Sequence, residues 1–172
     1  MKRTVTAFLL SCLALATAVR SARAATDQVP MVQLHLSSEM GAPPAAIWAY
    51  LVKGRNLVSY CPMWKSAKNA SVNLVKVGDV LEFTDEGGNG GRSIVTYLVP
   101  NRELRVVHEP NKGDYVCQAK ITLAPSGPGT MVQYWEQYSD ASAAADLEAT
   151  AAKTKAGMAQ MLAAIKKSVE RP

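Results

Sequence analysis

Two histidines, His35 and His108, and three cysteines, Cys12, Cys61 and Cys117, occur in the 172 residues. Neither histidine has other ligand types clustered around it and no CxxC pair occurs, so no metal centre is expected. The residues left to do chemistry are proton carriers: His108, Glu136 and the hydroxyls of Tyr115 and Tyr134. A histidine or glutamate held in an apolar pocket can take a proton from the carbon beside a carbonyl. A tyrosine hydroxyl can then hold the oxyanion that forms. No nucleophile–base pair and no nucleotide motif accompanies them. The run Gly87-Gly88-Asn89-Gly90-Gly91 lacks both a Lys-Ser/Thr pair and a strand-to-helix context, so it reads as a mobile hairpin loop rather than a phosphate cradle.

The ends of the chain bound where such chemistry would happen. Lys2 and Arg3 precede an apolar run over residues 7–19, and Ala22-Arg23-Ala24 follows it. That is the pattern of a secretory signal peptide over residues 1–24, cleaved after Ala24, with a periplasmic or secreted product. The run is too short to span a membrane, which takes about 20 residues. Leu9-Leu10-Ser11-Cys12 has a trace of a lipoprotein signal, but Cys12 sits inside the apolar run, not at its end. Residues 25–30 read as a polar linker and 31–172 as one domain. Four of the 19 basic residues belong to the leader, leaving 15 against 14 acidic ones, so the precursor's formal charge of +5 is no argument for a nucleic-acid partner. Cys61 and Cys117 remain after cleavage, in a compartment where disulfides persist. A bridge and two separately buried thiols both stay open.

Apolar periodicity supplies the elements. Val32, Leu34 and Leu36 alternate with Gln33, His35 and Ser37 in a half-buried strand over 31–38, which points His35 outward. Pro43-Pro44 opens a short helix with Ile47, Trp48 and Leu51 on one face, and a second short helix over 54–60 ends at Cys61-Pro62. Strands are expected over 68–75, 80–84, 92–99, 102–109, 114–123 and 130–138. The proline-free stretch 139–171 carries Leu147, Ala151, Thr154, Met158, Met161, Leu162, Ile165 and Val169 in steps of three and four. That predicts one amphipathic helix roughly 45 Å long, N-capped by Ser139 or Asp140, with acidic Asp146 and Glu148 toward its start and Lys166, Lys167 and Arg171 at its end. A meander of this length must curl, and the helix is its natural plug. Methionine adapts to irregular apolar shapes, so Met158 and Met161, beside Gly157, are candidates to line a cavity.

The order of elements, with particular residues at particular places, resembles the SRPBCC superfamily of START-related and polyketide cyclase/dehydrase-like domains. The resemblance rests on Ala42-Pro43-Pro44 with Ile47-Trp48, on Cys61-Pro62-Met63-Trp64, on Val77-Gly78-Asp79, on Arg102-Glu103-Leu104 and on Gly129-Thr130-Met131-Val132. It covers about residues 33–169. It implies an α+β helix-grip: a seven-stranded antiparallel sheet wrapped around the long C-terminal helix, two short helices after the first strand, and an apolar pocket between sheet and helix. It fixes no activity.

Strand parity then names the expected lining. Phe83, Leu104, His108, Tyr115, Cys117 and Ile121 share the inward phase of the middle strands, with Met158, Met161 and Leu162 from the helix. The last strand offers two faces. We take Val132, Tyr134, Glu136 and Tyr138 as inward, since that choice continues the family pattern and supplies large apolar groups. It carries Glu136 inside, where a carboxylate must be paired or protonated; the expected partner is His108, the alternative being a strand end in water. Two functions follow. One is an exported binding protein holding a lipid or other small hydrophobic molecule, with no cofactor and no stable membrane insertion. The other is a polyketide cyclase/dehydrase-like enzyme using His108 or Glu136.

Overall fold

The computed structural model describes residues 31–111, 116–139 and 147–170. The leader and linker expected over residues 1–30 lie outside the described residues. Alternating side chains place one strand edge-on to the next: β1 (Met31–Met40), then helices α1 (Pro44–Leu51) and α2 (Gly54–Tyr60), then β2 (Trp64–Ala67), β3 (Val80–Asp85), β4 (Gly90–Val99), β5 (Glu103–Pro110), β6 (Val116–Ser126) and β7 (Gly129–Ser139), and finally α3 (Leu147–Val169). The seven strands form one antiparallel sheet in the order β1-β7-β6-β5-β4-β3-β2, and α3 lies against β1, α1 and α2. This is the α+β helix-grip architecture that the sequence predicts. Among the described residues no helix is long and apolar enough to cross a membrane.

Each short helix starts where the chain supplies the means. Pro44 opens α1 with the missing N–H that a first turn does not need, and Ile47, Trp48 and Leu51 turn inward. In α2, Gly54 lets the helix start press on the following loop: a Cβ there would meet the carbonyl oxygen of Val72 at 2.5 Å. Thr130, with no exposed surface, donates its hydroxyl to the Ala42 carbonyl at 2.7 Å and ties β7 to the segment leading into α1.

Three expectations need correction. No strand runs over 68–75. The second strand is Trp64–Ala67, and the following segment turns, its polar groups met by Asn69, whose side chain donates to the Val80 carbonyl and accepts the Glu82 N–H, each at 2.9 Å. Leu74 is wholly buried there, its N–H bonded to the Val52 carbonyl at 2.7 Å, so the apolar residues read as a strand serve to dock a loop on α1. Second, Ser139 belongs to the sheet and not to the terminal helix, standing opposite both Met31 and Val116; the helix is described over Leu147–Val169. At 23 residues it is about 35 Å long; Asp140, Asp146 and Arg171 lie outside the described residues. Third, Gly90 and Gly91 belong to β4 and not to a loop. The turn before them is closed by Asp85, which donates its N–H to the Asn89 carbonyl at 2.8 Å and accepts the Asn89 N–H on its carboxylate at 2.7 Å.

The core sits between α3 and the concave face. Met158, Met161, Leu162 and Ile165 of α3 are buried with Leu81, Val95, Leu104, Ile121 and Val132 of the sheet. Ile165 has no exposed surface. Truncating it leaves a void that its neighbours fill only in part. Ile165→Ala is expected to lower the unfolding free energy by about 2–5 kcal/mol in urea titration, whereas Lys167→Ala on the exposed face should stay within about 0.5 kcal/mol. Equal effects would mean that this face of α3 does not pack as described.

Candidate functional site

A hollow remains where α2, α3 and the middle of the sheet fail to meet. Leu57, Tyr60 and Cys61 bound it from α2 and its end, Trp64 and Leu74 from one side, and Met161 from α3. The sheet contributes Leu104, Val106 and His108 from β5, Ala119 and Ile121 from β6, and Tyr134 from β7. Counted out to its open mouth the hollow is about 440 Å³, but the space deep enough to take the centre of a water molecule is about 40 Å³. Ligand pockets usually run to about 300–1,000 Å³, so any occupant the size of a ring or larger must move the walls. None of the lining residues is Lys, Arg, Asp or Glu.

At one side of the hollow stands an aromatic group. Trp64 and Phe83 stack at 4.4 Å between centroids with 4° between planes, and His108 meets both edge-on at 5.4 and 6.2 Å. Gly91 makes this possible. It stands opposite Phe83 in the β3–β4 register, and a Cβ there would meet the Phe83 ring at 2.5 Å. His108 as a residue is half-buried, but its Nδ1 is sealed from solvent and has no hydrogen-bond partner. Burial disfavours the imidazolium and lowers the pKa to about 4, so the ring is neutral at neutral pH.

The inner face carries a polar row behind that group. Ser93, His108, Cys117 and Tyr138 stand opposite one another across β4, β5, β6 and β7. One step along β7 is Glu136, opposite Ala119 and only 2 % exposed, so it does not sit in water at a strand end. Its partner is not His108, as the sequence suggested. The Tyr134 hydroxyl, two residues away on the same face, donates to its carboxylate at 2.7 Å, and the Cys117 thiol also hydrogen-bonds to it. Burial still wins: the Glu136 carboxyl is raised, the two bonds opposing the shift without cancelling it. Burial likewise lifts the Tyr134 and Tyr60 hydroxyls well above the usual phenol range, and pushes the Cys61 thiol up to about 11 against the backbone N–H groups of Met63 and Trp64. Of the two fates left open for the cysteines, Cys61 and Cys117 are two separately buried thiols with no disulfide between them.

Of the residues named from sequence, Leu104, His108, Ile121, Tyr134 and Met161 border the hollow. Phe83 stands beside it through the Trp64 stack, and Cys117 and Glu136 form the polar cluster behind Tyr134. Met158 and Leu162 are core without bordering the space. Tyr138 packs in a separate small cluster with Val32 and Cys117, its hydroxyl 3.1 Å from that of Thr154. Tyr115 lies outside the described residues. Parity reasoning missed the α2 side, Leu57 and Tyr60, although their i, i+3 spacing marks one helix face. It also missed Trp64, Leu74 and Ser93. Among the described residues no group of three His, Cys, Asp or Glu side chains could hold a metal ion.

No protein-family model matches the sequence, and no curated protein does. Solved structures match the fold. A protein of Chromobacterium violaceum superposes with a TM-score of 0.65 at 17 % identity over 81 % of this chain and 99 % of its own. Ara h 8.0201 does so at 0.62, with 15 % identity over 81 % and 98 %. DynU16, a putative protein in the dynemicin biosynthetic locus, matches at 0.60 with 14 % identity over 80 % of this chain, which spans about half of it (47 %). These likenesses show a shared helix-grip fold.

The buried histidine has a signature in acid. Its folded pKa of about 4 lies below the ordinary 6.5, so between those values the unfolded chain binds more protons and stability falls as pH drops. Glu136 works in the opposite sense: its raised pKa makes the native state hold its proton longer, so it weakens the fold as pH rises above 4.5. The histidine's share is isolated by comparing urea midpoints of the protein and His108→Asn from pH 7 to 4. The unmodified protein is expected to lose on the order of 2 kcal/mol more over that window; parallel curves would show that His108 is not held neutral by burial.

Proposed function

We propose that this chain is an exported binding protein that holds a small hydrophobic molecule in the hollow between the concave sheet and the C-terminal helix. The observation that carries the reading is the lining itself: mostly apolar side chains, no charged group, and few polar residues, of which His108 has an unpartnered ring nitrogen. Met161 forms part of the wall, and an unbranched thioether can swing aside to enlarge the space. A long lipid tail needs far more displacement than a single ring does, so within this class the smaller molecule fits better. Export rests on the signal-peptide pattern over residues 1–24, followed by a linker over 25–30 and the domain 31–172. Similarity to DynU16, placed in a biosynthetic locus, and to Ara h 8.0201 supports a role for the cavity without naming its contents.

A cyclase-like reading draws on Glu136, whose raised carboxyl would be a stronger base than an ordinary glutamate. Against it, that carboxylate is engaged by Tyr134 and Cys117 and does not border the hollow. Binding is therefore the better-supported reading.

Native mass spectrometry of the full-length chain, expressed in a bacterium and recovered from the periplasmic fraction, tests both halves. The expected polypeptide begins at Ala25 and carries a molecule released by organic solvent. Met161→Phe, which fills the hollow, should lose that molecule at least tenfold while its thermal midpoint moves by a few degrees. A periplasmic product that is empty in both forms overturns the binding reading, and retention of the leader in the cytoplasm overturns export.

A further inference from the structure

Two buried side-chain polar atoms among the described residues have no hydrogen-bond partner: Ser93 Oγ and His108 Nδ1. They are neighbours. Ser93 and His108 stand directly opposite in the β4–β5 register, both sides of that pair belong to the inner face, and Ser93 has no exposed surface. Side chains opposed in this way have their Cβ atoms about 4.5–5.5 Å apart, so one oxygen atom placed between them can reach both. Elsewhere among the described residues the buried side-chain polar atoms have partners. Asp79 accepts the N–H groups of Val75 and Lys76, Thr130 donates to Ala42, and Tyr134 donates to Glu136. His108 borders the hollow and Ser93 stands directly behind it, and two adjacent exceptions at the edge of a hollow are what a binding site lacking its occupant would show.

We infer that the hollow takes an uncharged, ring-bearing molecule with a hydroxyl group, seated with that hydroxyl between Ser93 Oγ and His108 Nδ1. The inference rests on the binding reading above and narrows its ligand class. A hydroxyl both donates and accepts, so it satisfies the serine and either tautomer of a neutral imidazole, whereas a carbonyl serves only the tautomer with its proton on Nδ1. A carboxylate is disfavoured because no Lys or Arg lines the hollow and the Glu136 carboxyl lies close behind Tyr134. The ring is called for by the stacked Trp64 and Phe83 beside the imidazole, and by Leu104, Ile121 and Met161 across from it. The small deep volume limits the occupant to about one ring, admitted as Met161 yields.

Three related single-ring probes separate the terms: p-cresol carries the hydroxyl, toluene lacks it, and p-toluate replaces it with a charged carboxylate. Titrated into the full chain and followed by tryptophan fluorescence and calorimetry, p-cresol is expected to bind at least tenfold tighter than the other two. Ser93→Ala and, separately, His108→Phe should each bring the p-cresol preference over toluene close to one, with thermal unfolding confirming that the variants fold. Equal binding of p-cresol and toluene to the unmodified protein would overturn the inference, the two atoms then sharing a water only. Preference for p-toluate would overturn it as well. If no probe binds while a molecule still co-purifies in native mass spectrometry, the ligand class is wrong and the binding reading stands; if nothing co-purifies either, both fall.

Discussion

A curled antiparallel sheet has one face that must leave water, and here a single helix does most of the covering. Met158, Met161, Leu162 and Ile165 supply the contact, each at most 6 % exposed. At about 1.5–3 kcal/mol for each such side chain, the seam is worth on the order of the whole net stability of a domain this size. Its far end is fixed independently. Lys166 donates to the Glu39 carbonyl at 2.8 Å and Glu170 accepts the Gly41 N–H, so the last turn of α3 is pinned to the end of β1. A straight helix pinned at one end cannot follow a curved sheet along its whole length. The hollow lies where that mismatch is taken up, between Met161 and the α2 residues Leu57 and Tyr60.

The concave wall is not uniformly apolar, and its polar residues fall into two kinds. Tyr134, Glu136 and Cys117 hydrogen-bond among themselves, which keeps a carboxylate inside at the cost of a raised pKa. Such a closed cluster fixes side-chain positions but has little left to offer a second molecule. Ser93 and His108 are the other kind, oriented inward with nothing to bond. The aromatic stack shields them on one side, and Gly91 exists at its position because any larger residue would collide with Phe83.

How much of this was legible beforehand follows from what periodicity encodes. Period-two alternation identified most strands and the inward face of β7, and the three-four stripe identified α3, because those patterns are imposed by burial on one side. The segment 68–75 misled for the same reason: Val72 and Leu74 alternate like a strand, but they are partly or wholly buried against α1 by a loop whose hydrogen bonds come from Asn69 and the Val52–Gly54 backbone. Ser139 suits both an N-cap and a strand end, and pairing with Met31 decides for the strand. Tertiary neighbours are invisible to parity. The Ser93–His108 pair depends on the register between two strands, and the choice of Tyr134 over His108 as the partner of Glu136 depends on two residues sharing one face at short range.

The strand order has one more consequence. Among the described residues β1 pairs only with β7, with Met31 opposite Ser139 and Met40 opposite Thr130, while the strands from β2 to β7 each pair with the next in sequence. The meander from β2 to β7 can therefore zip up hairpin by hairpin, but the first strand has to wait for the last one to exist. Closing so large a loop is entropically expensive and tends to slow the search for the native arrangement. Until β7 has been made, the amino-terminal strand has no partner to pair with.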